Sequence, residues 1–162
     1  MASPKPITII KPKLLLAEGA DAFHFFLSAL EAFGVVDDVQ VLDFGGITNL
    51  TPYLKNLPNI PGYETVEVST LVIARDAETD SGKAVRDICN SLQSAGFPVP
   101  DKPFEFTNNT PRVAFMIFPG FVTDSTGRSY LSLGTLENLC LDMVKDTSTF
   151  ECVDLYMKCL QS

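Results

Sequence analysis

Leu71-Val-Ile-Ala-Arg-Asp-Ala-Glu-Thr-Asp80 is an apolar run that ends abruptly in three acids at alternate positions. Four apolar residues in a row, bounded by polar ones, predict a strand buried on both faces, as in a parallel sheet. Asp76, Glu78 and Asp80 then fall where that strand ends. Ligands of open α/β sheets bind in the crevice outside the carboxyl ends of the strands, so acids there face a site rather than the core. Residues two apart in extended chain point to the same side, which lets Asp76 and Glu78 converge on one cation. The competing reading is local: Glu78, Thr79 or Asp80 caps the helix expected over residues 81–95.

Working outward, Lys13-Leu-Leu-Leu-Ala17 is a second apolar run that ends in an acid, Glu18, followed by Gly19 and an amphipathic segment over residues 22–33. Two strands thus deliver carboxylates to the same edge. If they are parallel and close, Glu18 lies near Asp76 and Glu78, and three such carboxylates are tolerated together when a cation neutralises them. Hard oxygen donors suit Mg²⁺ or Mn²⁺, with water and phosphate oxygens completing the shell.

Glu18-Gly19 after the first strand, Gly45-Gly46 after the second and Asp76-Ala-Glu78 after the third together resemble the TOPRIM domain of topoisomerases, bacterial primases and overcoming-lysogenization-defect nucleases. The pattern of that family is a Glu after one strand and Asp-x-Asp after a later one. The resemblance extends over roughly residues 13–145 and is closest to an uncharacterised TOPRIM-like family of bacteria and archaea, which shares the Leu-Leu-Leu-Ala-Glu-Gly opening and the Thr135-Leu-Glu-Asn-Leu139 segment. It implies a metal held by Glu18, Asp76 and Glu78, with Glu18 and Asp76 catalytic, and phosphodiester chemistry on nucleic acid. It also suggests that Glu137 faces the metal from the opposite wall. One departure stands out: Glu78 occupies the position of the second Asp, keeping the carboxylate but lengthening its reach.

At 162 residues with 46% apolar content, the chain fits one domain that can bury a substantial core. No apolar stretch approaches the roughly 20 residues that span a bilayer, so no membrane contact is expected. The start of the chain lacks the pattern of a signal peptide, because Ile7-Thr-Ile-Ile10 is short and Lys11-Pro12 follows it. A cytoplasmic location is the resulting expectation. The four cysteines, Cys89, Cys140, Cys152 and Cys159, have no zinc-knuckle spacing and read as reduced, partly buried residues. The net charge of −8 weighs against a protein that holds nucleic acid unaided, since Lys and Arg carry affinity for phosphate backbones.

Along the chain, strands and helices alternate. Residues 1–12 are expected to form an extended lead-in. Phe23, Phe26, Leu27, Leu30 and Phe33 recur at helical spacing until Gly34, with Asp21 in the first turn either favouring the helix dipole or reaching a metal through water. A strand over residues 39–44 precedes Gly45-Gly46, where the backbone either approaches a phosphate or simply turns into a helix over residues 47–56 capped by Thr48 or Asn49. The third strand is expected from about Val66, and Arg75 within it is either a salt-bridge residue or a phosphate clamp; alternation, which turns it away from Asp76, favours the salt bridge. Residues 112–118 are apolar after Arg112 and predict a central strand, followed by a polar loop to Gly134 over the carboxyl edge. Thr135 caps the next helix, with Glu137 in its first turn either compensating the dipole or facing the site. Residues 147–162 predict a last amphipathic helix, suited either to docking onto the sheet or to a homodimer contact.

The expected fold is a three-layer α/β/α domain with a mainly parallel sheet of four or five strands. Three functions compete: a Mg²⁺-dependent phosphodiester enzyme, a non-catalytic TOPRIM-like module that partners an ATPase encoded nearby, and a binder of nucleotide or phosphate. No phosphate-cradling Gly-x-x-x-x-Gly-Lys motif is present, which argues against ATP hydrolysis by this chain alone.

Overall fold

A computed structural model of the chain describes residues 7–148 together with 150, 151, 155, 158 and 159. Most of the helix expected over residues 147–162, including Cys152, lies outside the described residues, as does the first half of the N-terminal lead-in.

Four strands, β1 (Lys13–Ala17), β2 (Val39–Asp43), β3 (Thr70–Asp76) and β4 (Arg112–Phe118), form an all-parallel sheet in the order β2-β1-β3-β4. Strict alternation divides each strand between two cores. Leu15, Ala17 and Ala74 pack against Phe26 of helix α1 (Gly19–Ala32) on one face. Leu16, Ile73 and Phe115 pack against Leu54 of α2 (Leu50–Asn56) and Ile88 and Leu92 of α3 (Ser81–Ala95) on the other. Because both faces are covered, the strands are continuous apolar runs, and the three-layer α/β/α architecture follows.

Helix boundaries obey local chemistry. Asp80 caps α3, its Oδ1 accepting the Lys83 N–H at 2.8 Å. Gly96 ends α3 in the left-handed conformation, as its place after the apolar stripe predicts. The helix expected over residues 47–56 is instead a single 3-10 turn, Ile47–Asn49, leading into α2, and no side chain caps either piece.

Three further differences have physical reasons. The apolar run of residues 112–118 predicts a central strand, yet β4 is at the end of the sheet. Its free edge is covered by the preceding segment, where the Phe104 N–H reaches the Phe115 carbonyl at 2.8 Å and the Thr107 N–H the Val113 carbonyl at 2.9 Å. Continuous apolarity reports burial on both faces, not position in the sheet. β3 begins at Thr70 rather than near Val66, because residues 62–67 close turns on themselves. The stretch read as a polar loop after Pro119 contains a hairpin, β5 (Phe121–Thr123) with β6 (Ser129–Leu131), whose turn is held by Asp124 Oδ1 accepting from the N–H groups of Thr126 and Arg128. Helix α4 (Leu136–Val144) follows, with Asn138 Oδ1 accepting the Thr135 N–H at 2.8 Å.

Residues 7–12 strap across the amino edge of the sheet. The Gln40 amide clasps this strap, donating to the Thr8 carbonyl and accepting the Ile10 N–H, both at 2.8 Å, and Ile9 is buried. Among the described residues no helix is long and apolar enough to cross a membrane.

Candidate functional site

Glu18 directly follows β1 and Asp76 ends β3, neighbouring parallel strands at the middle of the sheet. Register decides what each acid meets. Leu16 pairs with Ile73 and Ala17 with Ala74, so the next position across from Glu18 is Arg75, not Asp76. Arg75 is buried beneath α3, where Nη1 donates to the Ala84 carbonyl at 3.1 Å and lies 3.2 Å from Asp87 Oδ2. Its Nε lies 3.6 Å from Glu18 Oε2, and neither atom has a hydrogen-bond partner among the described residues. Arg75 is thus a salt-bridge residue, as alternation predicts, but one of its partners is a candidate site acid.

Glu18, Arg75 and Asp76 line one small cavity at the carboxyl edge, walled by Phe26, Phe118 and Leu136. Its volume, about 10 Å³, is that of a single water. Burial pushes the Glu18 carboxyl above its usual range; Arg75 and the Asp76 N–H oppose this, and the charges of Asp76 and Glu78 add to it. Asp76 is also raised, first by burial and then by the charges of Glu137 and Glu78, against the Leu136 N–H. The acids therefore sense one another across the edge.

The end of β3 is tied to the start of α4. Asp76 Oδ1 accepts the Leu136 N–H at 2.8 Å. Glu78 exchanges two backbone hydrogen bonds with Gly134, at 2.7 and 2.8 Å. Glu78 is exposed and has φ of 50°, a left-handed conformation that a glutamate rarely adopts. Glu137, also exposed, is held below the usual range by its hydrogen bond with Thr135 and by its own N–H, so it stays charged beside Asp76.

The remaining candidates are placed differently. Asp80 is occupied as the α3 cap. Asp21 lies in the first turn of α1 and lines a groove between α1 and α4 instead of the small cavity. Gly45 already donates its N–H to Asp43 Oδ1 at 2.7 Å, and Gly46 leads into the 3-10 turn, so this turn does not offer the Gly45 N–H to a phosphate. Asp43 escaped the sequence reading. The same Oδ1 accepts the Gly19 N–H at 3.0 Å, which binds the turn after β1 to the turn after β2. Asp-x-Gly at a strand end is the available signal, since an Asp side chain often bonds the N–H two residues on. Burial, with the Asp43 charge beside it, pushes the Tyr53 phenol up to about 12, so it stays protonated.

Among the described residues no three His, Cys, Asp or Glu side chains are grouped to hold a metal. The donor set fits a narrower requirement. Mg²⁺ dehydrates reluctantly and is commonly held by one or two carboxylates, with waters and substrate phosphates filling the octahedron. Glu18 and Asp76 supply two carboxylates of that kind, and Glu18 Oε2, 3.6 Å from Arg75 Nε, is buried without a hydrogen-bond partner among the described residues.

A family described as a protein of unknown function, DUF3226, matches residues 12–162. The chain belongs to this family. The DUF3226 match spans every element from β1 to α4, so Glu18, Asp76, Glu78 and Glu137 all lie within the family's own extent. No curated protein and no solved structure is similar enough to match.

The bond between Asp76 and Leu136 makes a testable separation of charge from geometry. Asp76→Ala is expected to cost about 1 kcal/mol in metal-free buffer, as loss of a side-chain acceptor at a helix N-terminus does. Asp76→Asn keeps the acceptor and removes the charge, so it should match or exceed wild type at neutral pH. A carboxyl whose folded-state pKa is raised destabilises the fold above that pKa and not at low pH, so any gain in Asn fades as pH falls through it. Urea denaturation of both variants checks this; equal losses in Ala and Asn would refute the role of the bond.

Proposed function

We propose that this chain is a TOPRIM-like protein in which Glu18 and Asp76, assisted by Glu78, hold Mg²⁺ or Mn²⁺ for phosphodiester chemistry on nucleic acid, in concert with a partner. The observation that carries the reading is the pair of half-buried carboxyls from adjacent central strands, lining one cavity at the carboxyl edge with raised pKa values. Perturbed titratable groups in a cleft at that edge are candidates for function. A bound divalent ion would polarise a phosphate and lower the pKa of a water. The chain's own groups supply the frame. Arg75 neutralises and steers Glu18, the Leu136 N–H orients Asp76, and Phe26 and Phe118 limit access of bulk water.

Glu78 reaches from the exposed rim and Glu137 adds negative field, which suits a cation and repels an unaccompanied phosphate. With a net charge of −8, binding of DNA or RNA depends on a basic surface contributed by a partner, for which an ATPase encoded nearby is the first candidate. The setting we propose is cytoplasmic.

Calorimetric titration with Mn²⁺ and Mg²⁺ tests the site. Wild type should bind, and Asp76→Asn and Glu18→Gln should each weaken binding by about tenfold or more, the equivalent of roughly 1.4 kcal/mol. Identical titration of wild type and both variants would sink the metal reading. Supercoiled plasmid with Mn²⁺ should show little nicking by the isolated chain and Asp76-dependent cleavage once the partner is added. Metal binding without cleavage under any pairing would favour a regulatory module over an enzyme.

A further inference from the structure

Outside the carboxyl-edge cavity, an apolar groove of about 460 Å³ lies between α1 and α4. Phe25 forms one wall, and Leu136, Cys140, Leu141 and Val144 form the other. Residues 136, 140 and 144 recur at helical spacing and make a stripe along α4. Of the nine residues of α4, only Leu136 is buried. Leu141 and Val144 remain 51% and 43% exposed, which leaves the amphipathic face of this helix without a covering layer among the described residues.

The ionisable groups that line the groove have one sign. Asp21 of α1 and Glu137 of α4 are the ionisable groups in its lining, Glu137 being held charged by its hydrogen bonds, and no Lys or Arg lines it among the described residues. Further along the same stretch Asp142 pairs with Lys145 at 3.4 Å, and Asp146 lies exposed. An apolar floor between acidic rims selects an occupant with an apolar stripe flanked by cations. A second copy meeting this face with its own would set like-charged rims against each other, on a chain whose net charge is −8. The groove is bounded by helices and runs beside a helix about 13 Å long, which accommodates roughly two turns of a docked helix with anchors at i, i+3 or i+4 and i+7.

We propose that the α1–α4 groove is the docking site for a basic amphipathic helix of a partner protein. The inference goes beyond the metal site and does not depend on it, because docking of this kind proceeds without metal. It places the partner against α4, whose first backbone N–H holds Asp76.

The test is fluorescence anisotropy in EDTA with a labelled Leu/Lys helical peptide of about four turns. A Lys/Ser peptide of equal charge and a Leu/Glu peptide of equal hydrophobicity serve as comparisons. The Leu/Lys peptide should bind at least about tenfold more tightly than either, since both the stripe and the charge are required. Leu141→Lys should weaken it about tenfold, whereas Phe33→Lys, which adds the same charge at the 81%-exposed far end of α1, should leave affinity within about twofold of wild type. Both positions are exposed, so both variants should fold. Equal binding of the Lys/Ser peptide, or equal losses in the two variants, would reduce the effect to net charge and overturn the proposal. Dimerisation of wild type that Leu141→Lys abolishes would assign the groove to a second copy and overturn it too. Loss of Mn²⁺ binding in Asp76→Asn with peptide affinity intact would separate the two sites.

Discussion

Arg75→Ala is expected to lower the stability of this domain by about 3 kcal/mol at neutral pH, the range for removing one member of a buried ion pair. Arg75 is only 5% exposed; its guanidinium donates to the Ala84 carbonyl and to Asp87, and it sets its charge 3.6 Å from Glu18. The three losses are unequal. Asp87 is a third exposed and can return to water, whereas Glu18 is 16% exposed and would be left at the sheet edge with Asp76 and Glu78 nearby and no counter-charge. The Ala84 carbonyl loses a buried donor, worth about 1 kcal/mol on its own.

The pH dependence of that deficit identifies its cause. Arg75 acts to lower the Glu18 pKa, which burial has already raised, so its removal raises the folded-state value further. A carboxyl with a raised folded pKa binds protons more tightly in the native state, and the associated stability is lost as pH rises through that value. The gap between Arg75→Ala and wild type should therefore narrow on acidification. Adding Glu18→Gln should recover part of the loss at neutral pH, since the uncompensated charge is gone. A double-mutant cycle from urea melts at neutral and mildly acidic pH measures both effects; a gap below about 1 kcal/mol, or one unchanged by pH, would mean that Arg75 contributes packing alone.

These couplings mark where reading from residues stops. Apolar runs bounded by acids are local signals, and they suffice to place β1, β3 and the acids Glu18 and Asp76 at a strand edge. Whether Glu18 faces Asp76 or Arg75 depends on register between two strands over fifty residues apart, and a slip of one residue exchanges the faces. Periodicity carries no information about that. The same limit applies to β4, whose two-sided burial is legible but whose edge position is set by the segment that covers it. The hairpin of β5 and β6 has three-residue strands, shorter than the windows in which alternation can be recognised. Asp43 shows a different limit: its role comes from bridging two turns distant in sequence.

Gly62→Ala should produce a loss of about 3 kcal/mol or more, combining backbone strain with loss of a buried Ile side chain from the core. Composition alone marks residues 58–63 as a loop and gives no hint of this. Gly62 has φ of 95°, and a Cβ there would stand 1.9 Å from the Ile9 carbonyl oxygen and 2.9 Å from its carbonyl carbon. Both are backbone atoms, so no rotamer change relieves the overlap. The only escape is movement of the 7–12 strap, which is held at this point by the Ile9 N–H donating to the Pro61 carbonyl at 2.8 Å and by the burial of Ile9 to 1% exposure. Gly96→Ala supplies the comparison, because Gly96 has φ of 78° with open space around its missing Cβ, and strain alone should cost it about 1 kcal/mol. Chemical denaturation of the two variants separates crowding from strain. Hydrogen exchange at the Ile9 and Ile10 amides then shows whether the strap has lifted in Gly62→Ala. Equal losses in the two variants, with Ile9 still protected, would mean that the strap yields without leaving the core.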